Sequence, residues 1–229
     1  MKQQQQQPHV VLALSGGLDS TTLLSYFITN THCKVTPVVF NYHSKHSQWE
    51  IAAAEAIARH YGLVPTRVDL SFINQLFKSN LLHTGGDIPE GRYQDSSMAL
   101  TVVPGRNTIF IAIMMGLAQS IGANTIALGV HGGDHFIYPD CRSQYIDHMY
   151  EVVRDATEGQ VVLTAPFLHN SKSEIVSMGL QMGAPYHLTR TCYKDQPLAC
   201  GKCGSCVERL EAFKLAQAKD PVDYEERDK

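Results

Sequence analysis

The chain is predicted to fold as an α/β protein: a doubly wound, mostly parallel sheet with a small C-terminal metal-binding segment. Three observations carry that prediction. Short apolar runs, too brief for helices, alternate with longer periodic segments up to about Tyr186, as strands and helices do in βα units. A glycine pair joins the first run to the first helical segment. After Thr191 the composition changes, and four of the six cysteines fall within fifteen residues.

The first strand is Val10 to Leu14, running into Ser15-Gly16-Gly17-Leu18-Asp19-Ser20-Thr21-Thr22, with a helix expected from Ser20 to Thr29. In this turn Gly16 and Gly17 are free to take positive φ and bring the backbone close to a ligand. The unpaired N–H groups of the helix start point to the same place, which makes an anion site suited to phosphate. Ser15, Ser20 and Thr21 add hydroxyl donors, and Asp19 is placed to orient a donor or hold magnesium. The plain alternative is an ordinary capped turn, since two glycines alone are weak evidence.

Lys34 to Phe40 reads as the second strand, with Pro37 arguing against a central position in the sheet. Trp49 to Tyr61 is an Ala-rich periodic helix stopped by Gly62. His43, Lys45, His46 and Glu50 therefore sit at a strand's carboxyl end, where open α/β sheets bind ligands, although a solvated polar loop explains the same spacing. Thr66 to Leu70 is a third strand. Leu81 to Thr101 has no period and carries Gly85, Gly86, Pro89 and Gly91, so it reads as a long loop and a candidate lid.

Val103-Pro104-Gly105 fixes a turn that puts Arg106 and Asn107 at the start of an apolar helix, Thr108 to Ile121. An arginine there suits bidentate recognition of phosphate or carboxylate. Thr125 to Val130 is a fourth strand whose end delivers His131, Gly132, Gly133, Asp134 and His135, either a substrate pocket or plain turn chemistry. Helix Arg142 to Ala156, strand Val161 to Thr164 and helix Ser173 to Met182 complete the alternation. Lys172 at that last helix start is disfavoured by the helix dipole, and it makes sense if its ammonium reaches phosphate.

Cys192, Cys200, Cys203 and Cys206 have the density and spacing of a metal site, with Gly201 and Gly204 allowing tight turns. Four thiolates complete a tetrahedral zinc shell and leave no open position, so zinc would be structural. An iron–sulfur cluster is the rival. Cys33 and Cys141 read as core or loop thiols. The following helix is expected from Val207 to Ala218.

At 229 residues and a formal net charge of −3, nothing favours nucleic acid or an anionic membrane. No apolar run is long enough to span a bilayer and the start has no signal-like pattern, so a cytoplasmic protein without a membrane partner is expected. Residues 1–8, with their glutamine tract, read as a disordered tail.

Ser15-Gly16-Gly17-Leu18-Asp19-Ser20 resembles the pyrophosphate loop of the ATP pyrophosphatases, Ser-Gly-Gly-x-Asp-Ser after the first strand; no Gly-Lys-Ser/Thr of a Walker loop follows. Together with Val103-Pro104-Gly105-Arg106-Asn107, Tyr138-Pro139-Asp140-Cys141-Arg142 and the four cysteines, the stretch from about Val10 to about Ala218 resembles the 7-cyano-7-deazaguanine synthase family of the queuosine pathway. The resemblance implies an adenine nucleotide alpha hydrolase-like domain over 9–186 and a zinc-binding segment with a C-terminal helix over 187–229, in a homodimer. It implies an ATP-dependent carbon–nitrogen ligase acting on 7-carboxy-7-deazaguanine and ammonia: the carboxylate is adenylated, converted to the amide, activated again and dehydrated to the nitrile. By the same resemblance ATP with Mg2+ lies against Leu14, Ser15, Gly16, Gly17, Leu18, Asp19, Ser20, Thr21, Thr22, Leu23 and Leu24. Asp19, Arg106 and Lys172 are the catalytic residues it implies, and one Zn2+ sits on Cys192, Cys200, Cys203 and Cys206.

The chain departs from the family pattern in two places. Tyr42-His43-Ser44-Lys45-His46 stands where the family has Tyr-Gly-Gln-Arg-His, and Gly132-Gly133-Asp134-His135-Phe136 differs from the usual form. A variant that stops at the amide or serves DNA modification is compatible with them. Two other readings are a tRNA-thiolating ATP pyrophosphatase, which would want a redox-active cysteine and a basic surface, and an inactive nucleotide-binding domain carrying a zinc interaction module.

Overall fold

The computed structural model describes residues 7–31 and 33–225; most of the expected N-terminal tail lies outside them. Five parallel strands, β1 (His9–Ala13), β2 (Lys34–Asn41), β3 (Thr66–Asp69), β4 (Thr125–Ala127) and β5 (Val162–Thr164), form one sheet in the order β3-β2-β1-β4-β5. The winding reverses between β1 and β4, and in open parallel sheets that reversal leaves a crevice at the strands' carboxyl ends.

β1 is buried on both faces and its side chains divide by parity. Val10 and Leu12 pack with α1 (Leu18–Asn30), α2 (Ser47–His60), α6 (Lys172–Gln181) and α7 (Gly204–Leu215). Val11 faces α4 (Arg106–Ile121) and α5 (Ser143–Ala156). A fully covered parallel strand reads as a continuous apolar run, which is how β1 looked in the sequence. Phe213 of α7 stacks edge-on against Tyr186, with ring centroids 5.5 Å apart, in the same core as α1 and α6. The segment after residue 186 thus extends the main core.

Several boundaries differ from expectation, each for a long-range reason. Pro37 lies in β2, which is flanked by β1 and β3 and is therefore not an edge strand. The Val38 carbonyl and the Lys34 N–H both bond toward β1, so by alternation the Pro37 nitrogen faces the other side. There β3 begins only opposite Val38, and the missing donor has no partner to lose. α4 starts two residues early because Asp140, distant in sequence, accepts the Asn107 N–H at 3.0 Å. β4 ends at Ala127 and the chain continues past the sheet, where a Cβ on Gly129 would meet the Asp19 backbone at 3.3 Å.

The long loop after β3 contains a short helix, α3 (Phe72–Leu76), and a 3-10 turn at Ser96–Thr101, neither of them expected. It folds down onto the cysteine segment: the Gly91 N–H donates to the Lys202 carbonyl at 3.1 Å, and Lys194 pairs with Glu90. Among the described residues no helix is long and apolar enough to cross a membrane.

Candidate active site

The crevice between β1 and β4 opens into one cavity, and the glycine loop forms its floor. Gly16 has φ +80°, and a Cβ there would stand 2.6 Å from the Glu50 carbonyl and 2.7 Å from the Ala54 nitrogen. Only glycine allows α2 to approach so closely. Gly17 does not take positive φ as expected; it is extended, with φ −78°, and starts α1 without any side-chain cap. No N-cap side chain therefore covers the first N–H groups of α1, which favours anion binding at the helix start.

The loop is braced by its own hydroxyls. Ser15 Oγ and Ser20 Oγ lie 3.0 Å apart, Ser15 Oγ accepts the Gly17 N–H at 3.2 Å, and Thr21 Oγ1 donates to the Gly17 carbonyl at 2.7 Å. Leu14, Ser15, Gly17, Leu18, Asp19 and Ser20 border the cavity. Thr21, Thr22, Leu23 and Leu24 are turned into the core, where Thr22 bonds the Tyr186 hydroxyl at 2.7 Å. These four hold the helix in place.

Asp19, on the first turn of α1, is the hub of a charge cluster. Its Oδ2 accepts from Lys172 Nζ at 2.6 Å; its Oδ1 is buried with no hydrogen-bond partner. Lys172 opens α6, also lies 3.3 Å from Glu208 Oε2 and 3.2 Å from His131 Nε2, and so rests among carboxylates. Burial alone would raise the Asp19 pKa, but Lys172 and His131 hold it below the ordinary carboxyl value. Burial likewise disfavours the Lys172 charge, yet Asp19, Glu208 and Asp134 keep its pKa above the ordinary lysine value. Both are therefore ionised near neutral pH. Burial pushes Glu208 up, against the pull of Lys172.

His131, fully buried after β4, accepts the Gly133 N–H on Nδ1 at 3.0 Å. Its neutral form therefore carries the proton on Nε2, 3.5 Å from Asp134 Oδ2. The Tyr93 hydroxyl donates to the other Asp134 oxygen at 2.8 Å. Tyr93 comes from the long loop, which thereby closes one wall of the cavity.

Arg106 borders the same cavity. Its guanidinium lies over Tyr42 at 5.9 Å and Phe110 at 6.0 Å, and its charged neighbourhood is Tyr42, Asp140, Cys141 and Tyr138. Burial and Glu50 push the Tyr42 pKa up to about 12. Asn107 is structural: its Nδ2 donates to the Asp140 carbonyl at 2.9 Å and to the buried Cys141 Sγ at 3.3 Å.

The stretch Tyr42-His43-Ser44-Lys45-His46 serves mainly to hold the site together. His43 has φ +56°, a left-handed conformation that a glycine would adopt without strain. Lys45 Nζ donates to the carbonyls of Gly85 and Gly86 at 3.2 and 2.5 Å, so it ties down the long loop. His46 is fully buried with its Nε2 3.4 Å from Glu50 Oε1, and Glu50 borders the cavity.

The sulfur atoms of Cys192, Cys200, Cys203 and Cys206 all lie within 4.8 Å of one another, and all four residues are buried. Tetrahedral zinc with bonds of about 2.3 Å needs sulfurs roughly 3.8 Å apart, and Cys200 and Cys206 are at 4.0 Å. The Lys194 and Cys200 N–H groups point at Cys192 Sγ, and those of Lys202 and Cys203 at Cys200 Sγ. Donors aimed at sulfur favour thiolate, so the set fits a metal ion. The cysteine segment also reaches the active cavity: the Arg190 N–H donates to the Gly16 carbonyl at 2.8 Å, and Glu208 lies two residues beyond the last cysteine.

Glu208 was not recognisable from sequence, where it reads as a surface acid on a polar helix. The only signal is its spacing from Cys206, which fixes the face of α7 that turns inward.

The family described as Queuosine biosynthesis protein QueC matches residues 9–217. The chain is 43% identical over 216 residues, 94% of its length and 98% of the relative's, to "7-cyano-7-deazaguanine synthase" of Pseudoalteromonas atlantica. A protein of the same name from Porphyromonas gingivalis is 42% identical over 221 residues, covering 96% of this chain and 99% of the relative. Another, from the archaeon Methanoregula boonei, is 42% identical over 215 residues, covering 94% and 98%.

Proposed function

Because the chain belongs to the QueC family of queuosine biosynthesis proteins, we propose that it is an ATP-dependent carbon–nitrogen ligase converting 7-carboxy-7-deazaguanine and ammonia to 7-cyano-7-deazaguanine. The observation that carries this reading is the uncapped Gly17 helix start beside the Asp19–Lys172 pair, opening into a cavity that holds a second cation, Arg106. A triphosphate placed on that helix start meets backbone N–H groups and the Lys172 ammonium. A carboxylate acceptor in the same cavity is then within reach of the α-phosphorus.

In the first half-reaction a carboxylate oxygen attacks the α-phosphorus and pyrophosphate leaves. Ammonia then displaces AMP from the acyl carbon, giving the amide and releasing a proton. In the second, the amide oxygen attacks a second ATP, and loss of AMP with the remaining N–H protons leaves the nitrile. Two ATP become two AMP and two pyrophosphates, and both carboxyl oxygens depart in AMP.

Lys172 stabilises the negative charge that grows on the departing pyrophosphate, and it acts from a nearly buried position where its charge counts most. Asp19 holds Lys172 and presents Oδ1, whose unpartnered state fits a ligand to magnesium; when bound, that ion supplies further neutralisation of phosphate charge. No protein nucleophile is required. His46 with Glu50, or Asp134, is placed to take a proton from ammonium. Zinc on the four cysteines would be structural, anchoring α7 and so Glu208 beside Lys172. A cytoplasmic homodimer belongs to the same reading.

Acid labelled with oxygen-18 in its carboxylate tests the adenylation directly. The reading predicts one labelled oxygen in each AMP released; label appearing in phosphate or water instead would contradict it.

A further inference from the structure

Three cations border the cavity and are held very differently; Arg190 donates to the carbonyls of Lys194, Gln196 and Pro197. Lys172 is surrounded by groups that answer its charge, Asp19 at 2.6 Å and Glu208 at 3.3 Å. Arg106 has no such company. Its Nε is buried without a hydrogen-bond partner, and the groups nearest its charge are the Tyr42 hydroxyl and two aromatic faces. Asp140 supports the charge from a distance, but its Oδ2 is committed to the Asn107 N–H. The other acids of the cavity are also engaged: Asp134 by the Tyr93 hydroxyl, Glu50 beside His46, Asp19 by Lys172.

A guanidinium held largely out of water without a close anion is unfavourable unless a ligand supplies one. Its flat fork matches a carboxylate with paired N–H donors, which a lysine does not. The walls around it are flat and aromatic. Phe40 and Phe110 are stacked at 4.0 Å with 6° between planes, and Tyr138 and Tyr193 border the same space. That surface suits a planar heterocycle carrying the carboxylate better than it suits a polyphosphate.

We propose that Arg106 is the residue that recognises the carboxylate of the acceptor, a planar heteroaromatic acid, while Lys172 and the glycine loop serve the nucleotide. The assignment rests on the ligase reading above and divides its labour. It has a consequence that a general charge-neutralising role lacks. The first half-reaction starts from a carboxylate, the second from a neutral amide. Recognition by Arg106 therefore matters far more to the first.

The test compares wild type, Arg106→Gln and Arg106→Lys with 7-carboxy-7-deazaguanine and, separately, with its amide as the starting compound. kcat and KM are measured for each compound and for ATP. Losing a charge-assisted pair costs roughly 100-fold in KM for the acid in Arg106→Gln, and the ratio of kcat/KM for acid over amide is expected to fall at least 30-fold. Arg106→Lys, which keeps the charge without the fork, should lie between, at about tenfold. Equal losses on acid and amide, or a KM for ATP that rises in step with that for the acid, would overturn the assignment. Should wild type turn over neither compound, the ligase reading fails by itself, and calorimetric binding of the acid then decides for Arg106: an affinity unchanged in Arg106→Gln refutes its role.

Discussion

Gly179 in α6 is the position where one methyl group would do most damage. A Cβ there would stand 1.9 Å from the Tyr186 hydroxyl, 2.5 Å from its Cζ and 3.0 Å from Thr22 Oγ1. Tyr186 is almost wholly buried, bonds Thr22 and donates to the Ile175 carbonyl at 3.1 Å. It cannot retreat without breaking those bonds and its contact with Phe213. Overpacking a core costs about 1–3 kcal/mol, and stranding a buried hydrogen-bonding group adds about 1–3 kcal/mol. Gly179→Ala should therefore lose roughly 2–5 kcal/mol, a fall in Tm on the order of 10 °C for a domain of this size. Gly116→Ala in α4 is the opposite case. Its methyl group meets nothing within 4 Å, and the gain in helix propensity should stabilise by about 0.5–1 kcal/mol. Urea denaturation of the two variants with the m-value monitored reads both effects. A Gly179→Ala protein whose midpoint matches wild type would refute the packing argument. The contact also bears on function, because Asp19 lies on the first turn of α1 and Lys172 opens α6, and the Thr22–Tyr186–Gly179 stack sets their spacing.

Four further outcomes are expected. The buried pair Arg209–Asp220, bonded twice at 2.8 and 2.9 Å, should cost about 3–5 kcal/mol when broken by Arg209→Leu. Burial would raise the Asp220 pKa, but Arg209 holds it below the ordinary value; its contribution is thus present above the unfolded value of about 3.9 and lost as pH falls through the lower folded value. Asp220→Asn should flatten that acid limb in pH-dependent unfolding, and an unchanged limb would count against the pair. His43→Gly relieves a left-handed residue and should stabilise by up to about 1 kcal/mol; a clear loss in thermal unfolding would show that the His43 contacts with Asn41 and Asp69 outweigh the strain. Cys203→Ser should abolish stoichiometric zinc by metal analysis and raise hydrogen exchange in α7, where exchange at the wild-type rate would contradict a structural metal.

The glycine loop was legible because all its parts lie within one turn of chain: an apolar strand, two glycines, hydroxyls and an acid. The cysteines were legible for the same reason. Lys172 could be flagged because a cation at a helix start is locally unfavourable, and the structure shows Asp19 answering it. What the sequence did not disclose depends on contacts across the chain. Glu208 reads as one more acid on a polar helix until α7 docks beside Lys172. Tyr93 lies in an aperiodic loop, and its position is set by the straps of that loop to Lys202 and Lys45. Pro37 misled because an edge-strand preference is statistical, whereas the real constraint is where one nitrogen points.

In the proposed reaction the Asp19 loop directs adenylation of a carboxylate on the way to a nitrile. The most direct measurement incubates the protein with ATP, Mg2+, ammonium and 7-carboxy-7-deazaguanine, follows product mass and nucleotide products together, and runs Asp19→Ala alongside. The nitrile with two AMP and two pyrophosphates per turnover is expected, together with a folded but inactive variant. Accumulation of the amide alone under excess ATP and ammonia, release of ADP and phosphate, or an active Asp19→Ala protein would contradict it.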